Sequence, residues 1–172
     1  NGDGATSAAP SGWAGIRVYG GSASAHLENV QIRYAAAGAQ SGISVENGAY
    51  TEFRDGLLWN NSVGVNCSYS SGVLTNSEVT RNEFGLRLNN CAGFTIGGSL
   101  DTRNTLMANT TQAVFNASAP SVDATYNYWG DRTGPRHAGN PSGVGDAVSD
   151  FVNFGFFVGL TADAGLDQEV ES

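Results

Sequence analysis

A short apolar strand that opens on a small residue recurs along the chain. Its copies are Gly15-Ile16-Arg17-Val18, Gly42-Ile43-Ser44-Val45, Gly64-Val65-Asn66-Cys67, Gly85-Leu86-Arg87-Leu88 and Ala113-Val114-Phe115-Asn116, with starts 27, 22, 21 and 28 residues apart. In the first four copies the second and fourth positions are apolar and the third is polar, which is the period of a half-buried strand. The fifth copy departs from this, with Phe115 third and Asn116 fourth. A unit of this length cannot bury an apolar face by itself. Its copies must stack, and stacking is what most constrains the fold.

A second apolar element follows in each unit: Leu27 to Ile32, Thr51 to Asp55, Val73 to Val79, and Phe94 to Ile96. Asn then precedes the next strand, as Asn60 and Asn61, Asn82, and Asn109. Parallel stacking at about 4.8 Å places like side chains over one another. Asn suits the bends because it tolerates left-handed backbone angles and its amide can bond to the coils above and below. The two longer intervals imply insertions at Tyr34 to Gln40 and at Gly97 to Arg103, expected to protrude from one corner as loops that can bind.

Composition agrees. With 24 Gly and no Lys but 40% apolar residues, the 172-residue chain has enough to bury and reads as many short strands joined by tight turns in one domain. A net charge of −8, with the Arg residues scattered, excludes a nucleic-acid partner. No apolar run approaches the ~20 residues that span a bilayer. The opening Asn1-Gly2-Asp3-Gly4 has neither the basic nor the apolar region of a secretion signal and no initiator Met, so the chain is expected to be a piece of a longer polypeptide. Cys67 and Cys91 lack zinc-ligand spacing, and a bridge between them is left open.

The Gly-Ile-x-Val and Asn-x-x-Gly rhythm of residues 13 to 116 resembles the right-handed parallel β-helix proteins of bacterial and archaeal cell surfaces. That pectate-lyase-like superfamily holds both enzymes and non-catalytic modules. Asn127-Tyr128-Trp129-Gly130-Asp131, Gly134-Pro135, Asn140-Pro141 and Gly145-Asp146-Ala147-Val148 resemble the segment that closes such a stack. The resemblance implies that Trp129 covers the end of the apolar column and that Phe151 to Phe154 form the final strand. Ala162-Asp163-Ala164-Gly165-Leu166-Asp167-Gln168 is similar to the opening of PKD-type, immunoglobulin-like modules, with Leu166 in place of the usual Pro.

Chemistry is harder to find. The Asn-Thr-Asp, Asp-Asp and Gly-His-Gly segments of galacturonase-like members are missing, and a lyase of this fold needs a Ca²⁺-binding carboxylate cluster with an Arg or Lys base. The best carboxylate group is Glu52 with Asp55, joined one coil on by Glu78 and Glu83, with Arg54 and Arg81 beside them. The same residues also suit an ordinary solvated face. Asp131, Asp146 and Asp150 offer oxygen ligands to Ca²⁺ in the closing loops, although Asp at turns more often accepts backbone N–H bonds. No other cofactor is expected. His26 and His137 sit in no motif. Tyr19, Tyr34, Tyr50, Trp59 and Tyr69 fall near coil corners as a sugar-stacking platform or as edge packing, and Trp13 reads as packing. Asn60, Asn66, Asn109 and Asn116 head Asn-x-Ser/Thr sequons.

These readings predict an all-β, right-handed parallel β-helix of roughly five to seven coils. It should occupy residues 1–160, with a closing segment near 126–158, and 161–172 should be a linker or the first strand of a following β-sandwich. The expected role is a non-catalytic extracellular module of a larger surface protein, secreted or on the cell surface. It would act as adhesin or spacer, with its neighbouring domains and a polysaccharide or cell-surface glycan as partners. The alternative is a fragment of a lyase or glycoside hydrolase acting on acidic polysaccharide.

Overall fold

The computed structural model describes residues 13–36 and 41–159. Each coil holds short strands separated by sharp corners. The first carries β1 (Ile16–Tyr19), β2 (Ser24–Glu28) and β3 (Gln31–Arg33), and the second β4 (Ser41–Glu46), β5 (Tyr50–Arg54) and β6 (Leu57–Trp59). The third carries β7 (Val63–Ser68), β8 (Ser71–Thr75) and β9 (Glu78–Thr80), and the fourth β10 (Phe84–Asn89), β11 (Gly93–Ile96) and β12 (Thr105–Met107). The fifth has β13 (Gln112–Asn116) and β14 (Val122–Asp123), followed by β15 (Pro135–Arg136), β16 (Gly145–Ala147) and β17 (Val152–Asn153).

Strands at equivalent positions pair in parallel across coils. The first sheet runs β1-β4-β7-β10-β13, the second β17-β14-β11-β8-β5-β2, and the third β12-β9-β6-β3. The fold is a right-handed parallel β-helix. Val148 bridges Val114, and β17 pairs with β14 to begin a sixth turn. Among the described residues no helix is long and apolar enough to cross a membrane.

Register explains the repeat. Ile16, Ile43, Val65, Leu86 and Val114 are partners in successive coils. From Ile43 onward that column is fully buried. Ile32, Leu58, Val79 and Leu106 form the matching column of the third sheet, and Leu27, Phe53, Leu74 and Ile96 that of the second. Each such burial contributes roughly 1.5–3 kcal/mol. The fifth copy keeps this geometry with other residues. Phe115 faces outward, 6.2 Å from the Phe84 ring. Asn116 takes the inward place, where its Nδ2 donates to the Phe151 carbonyl at 2.8 Å.

The small opening residue has a steric cause. A Cβ on Gly42 would lie 2.8 Å from the Gly64 carbonyl oxygen, and one on Gly64 2.5 Å from that of Gly85. At these two positions adjacent coils approach too closely for a side chain, whereas the fifth copy has room for the methyl of Ala113.

Two expectations need correction. In the first and third units the second apolar element is two strands rather than one, because the chain turns inside it through the left-handed residues Asn29 (φ 56°) and Asn76 (φ 49°), whereas the elements at 51–55 and 94–96 each hold one strand, β5 and β11. The insertions leave different corners rather than one. Residues 34–36 follow β3, where the third sheet returns to the first, whereas 97–103 lie between β11 and β12, where the second meets the third. Residues 37–40 lie outside the described residues, as does the PKD-like stretch at 162–168.

Cys67 and Cys91 form a disulfide joining the third coil to the fourth at the remaining corner. Trp129 is fully buried within the hydrophobic cluster, and its Nε1 has no hydrogen-bond partner.

Candidate functional site

Amide ladders fix the frame on which surface groups sit. Where the third sheet turns to the first, the Asn61 Nδ2 donates to Asn82 Oδ1 at 3.0 Å, Asn82 to Asn109 Oδ1 at 3.1 Å, and Asn109 to Asp146 Oδ2 at 2.9 Å. The backbone N–H of each also donates to the next oxygen along. Each amide thus donates toward the C-terminal end of the stack, where the Asp146 carboxylate receives the last, and its Nδ2 also donates back to a carbonyl of the preceding coil, that of Ile32, Leu58 or Val79. Burial pushes the Asp146 carboxyl above its ordinary range, while the two bonds from Asn109 pull it back. A second ladder lies where the second sheet meets the third. There the Ser77 N–H donates to Asn104 Oδ1 at 2.9 Å, and the Asn104 Nδ2 to Asn127 Oδ1 at 3.0 Å.

At that second corner lies a cleft of about 970 Å³ that crosses several coils. Asp55 and Leu57 of the second coil, Glu78 of the third, and Leu100, Asp101 and Arg103 of the 97–103 insertion line it. The insertion forms one wall, held by a short 3₁₀ turn at Leu100–Thr102 in which the Thr102 hydroxyl donates to the Gly97 carbonyl at 2.8 Å. Arg103 Nη1 donates to the Leu100 carbonyl at 3.3 Å. Outward on the same strand as Leu57 stands Trp59, edge-on to Tyr34 at 5.1 Å and beneath the Arg33 guanidinium at 5.4 Å. Apolar surface, amides and carboxylates thus adjoin one another in the cleft, and Trp59 stands farther along β6, outside its lining.

The cleft unites some of the expected residues and leaves others apart. Asp55 and Glu78 share it. Glu52 lies on the outer face of the second sheet, with its Oε2 2.8 Å from His26 Nδ1 and its Oε1 3.7 Å from Arg54. Arg54 also meets Glu28 at 3.2 Å, so this face is a surface network of paired charges. Arg81 occupies the opposite corner in a left-handed conformation (φ 57°), and Glu83 accepts from the Ser62 hydroxyl at 3.4 Å.

The three aspartates of the closing loops are each engaged separately. Asp131 Oδ1 accepts the Thr133 hydroxyl and backbone N–H, which hold its carboxyl below the ordinary range. Asp146 ends the ladder, and Asp150 lies 3.1 Å from His137 Nε2. Among the described residues no group of three or more His, Cys, Asp or Glu side chains is placed to hold a metal ion. His137 Nδ1 accepts from the Gly139 N–H at 2.9 Å and Nε2 faces Asp150, so both ring nitrogens are engaged.

Of the sequon residues, Asn109 and Asn116 are buried with their amides consumed, and neither can carry a glycan. Tyr19 and Tyr69 are exposed, and the Trp13 indole N–H donates to the Arg33 carbonyl at 2.7 Å. Asp101 and Arg103 were not singled out by sequence reasoning. Only the length of the insertion marked them.

A family model described as "Right handed beta helix region" matches residues 7–128 of the chain. No curated protein and no solved structure matches it.

Proposed function

We propose that this chain, which belongs to the right-handed β-helix family, is a non-catalytic extracellular module of a larger surface protein, a stiff spacer that presents a glycan-binding cleft. The cleft carries the reading. Its volume of about 970 Å³ falls at the upper end of ligand-binding sites. It runs across the coils, as a linear polymer would lie. Asn29, Gln31 and Asn76 line it with amides that suit sugar hydroxyls, and Leu57 and Leu100 add apolar surface. The Cys67–Cys91 disulfide supports a place outside the cytosol, since such bonds persist in oxidising compartments.

A second reading, hydrolysis or elimination on a polysaccharide, is favoured by Asp55 and Glu78 lining one cleft. Acid–base cleavage needs two carboxyl groups held in defined roles. Both of these side chains are exposed and neither has a hydrogen-bond partner among the described residues. Display therefore accounts for the cleft better than catalysis.

A glycan array tests the reading. The expected result is binding to at least one glycan, weakened by about tenfold or more in a Glu78→Ala, Asp101→Ala double variant, a loss of ~1.4 kcal/mol. Prolonged incubation with that glycan should yield no new reducing or unsaturated ends. Such ends, lost in Asp55→Asn or Glu78→Gln, would establish the enzyme reading instead. Silence across the array at high protein concentration would contradict both.

A further inference from the structure

We propose, resting on the glycan reading of the large cleft, that the cleft selects a sugar chain bearing free amines, with Asp55, Glu78 and Asp101 as the residues that receive the ammonium groups. Elsewhere on the molecule the described carboxylates are engaged. Glu28 and Glu52 meet Arg54, Glu46 meets Arg17, and Asp150 faces His137. Glu83, Asp123, Asp131 and Asp146 accept hydrogen bonds from Ser62, Thr125, Thr133 and Asn109. Asp55, Glu78 and Asp101 are exposed and have no such partner among the described residues. All three line this one cleft, whose volume is about 970 Å³.

Their placement narrows the ligand further. Asp55 follows β5 of the second coil, Glu78 opens β9 of the third, and Asp101 lies in the insertion of the fourth. Among the described residues they are not grouped to hold a single metal ion, so a ligand that meets all three carries separate charges strung across the coils. Arg103, the one cation in the lining, is turned to the Leu100 carbonyl at 3.3 Å, and the lining as a whole is negative. An anionic polymer is repelled by such a surface. An ammonium group is a compact charge with three donors, which suits carboxylates met one at a time. An extended peptide fits the spacing poorly, since its side chains return to one face about every 6.6 Å against about 4.8 Å between coils. A sugar ring also offers hydroxyls to Asn29 and Asn76 and an apolar face to Leu57 and Leu100.

The test is a titration of the chain with tetramers of β-1,4-linked glucosamine, N-acetylglucosamine, galacturonate and lysine, followed by calorimetry and by backbone amide shifts. The buffer is mildly acidic, so that the glucosamine amines are protonated. The glucosamine tetramer should bind and shift the amides of Asp55, Asn76, Glu78 and Asp101. Its N-acetylated form, with the same rings and no charge, should bind about tenfold or more weakly, and galacturonate should leave these amides unmoved. The triple variant Asp55→Asn, Glu78→Gln, Asp101→Asn keeps the shape and removes the charge. It should bind glucosamine about tenfold more weakly and no better than the N-acetylated form. Asn tolerates the left-handed backbone at position 55 (φ 51°), and an unchanged melting temperature would show that the variant folds. An N-acetylated tetramer that binds as well as glucosamine, or an unaffected triple variant, would overturn the charge assignment and leave the glycan reading standing. Tetralysine matching glucosamine would overturn the sugar assignment. No response to either glucosamine form would overturn the proposal, and the glycan array would then decide the broader reading by itself.

Discussion

The two corners that flank the third sheet use one device to opposite ends. Where the third sheet turns back to the first, Asn61, Asn82 and Asn109 follow one another without a gap and end on Asp146. Where the second sheet meets the third, the amides begin only at Asn104, and the preceding coils carry Gly56 and Ser77. A core ring causes the break. A Cβ on Gly56 would lie 2.5 Å from Phe53 Cζ, so the aromatic side chain fills the space an amide would need. Gly56 and Ser77 both line the large cleft. The lesson is that a corner filled by side-chain amides is stiff, whereas one filled from the core side leaves a hollow outside that an insertion can wall off.

The strongest way to break this contrast is mutation of the ladders. Asn82→Ala strips partners from Asn61, Asn109 and the Leu58 and Thr80 carbonyls, and at ~1–3 kcal/mol per unsatisfied buried group it should cost about 4 kcal/mol. Ser77→Ala removes only a hydroxyl that accepts from the Gly56 N–H and donates to the Thr75 carbonyl, and should cost about 1 kcal/mol. Urea unfolding of both variants measures the difference, and equal losses would erase it.

The third corner extends the comparison, since a disulfide takes the place of amides there. Cys67 and Cys91 are 24 residues apart, and constraint of the unfolded chain by a loop of that length contributes about 3.5 kcal/mol. Reduction under native conditions should lower the urea midpoint accordingly. An unchanged midpoint would mean that stacking alone holds that corner.

Close approach of the coils gives a smaller, sharper effect. Gly64→Ala must push the Gly85 carbonyl aside and should cost about 2 kcal/mol, whereas Gly21→Ala, whose Cβ would only touch the Asn47 carbonyl at 4.0 Å, should be nearly neutral. Comparable melting temperatures for the two would refute the steric account of the repeat.

Much of this frame was legible in the sequence. The columns through Ile16, Ile43, Val65 and Leu86 follow from alternation plus a repeat, because a strand buried on one face can pair in only one register without turning its apolar residues outward. Asn82 and Asn109 were visible because they recur three or four residues before the small residue that opens the next strand. Asn104 and Asn127 were not, since the insertion shifts one and a closing motif absorbs the other. The cleft was hidden for a different reason. Asp55 and Glu52 are neighbours in sequence, but the left-handed turn at Asp55 sends them to different faces, and Asp55 meets Glu78 and Asp101 only once the corners are known.

Proton linkage should give the smallest effect. The raised Asp146 carboxyl contributes stability that is present below its unfolded pKa and lost as the pH rises through its folded value. The lowered Asp131 carboxyl contributes in the reverse sense, with stability present above its unfolded pKa and lost as the pH falls through its folded value. Asp146→Asn should therefore remove a gain on acidification, and Asp131→Asn a loss. Melting temperatures between about pH 3 and pH 7 for the two variants should diverge in opposite directions from the parent.

The most direct test of the stacked frame is exchange of side-chain amide protons followed by NMR. The Nδ2 protons of Asn61, Asn82 and Asn109 should exchange only with global opening, about a hundredfold or more slower than those of the exposed corner residues Asn29 and Asn76. Uniformly fast exchange at all five would show that the amides do not bridge the coils, and the account of the corners would fall with them.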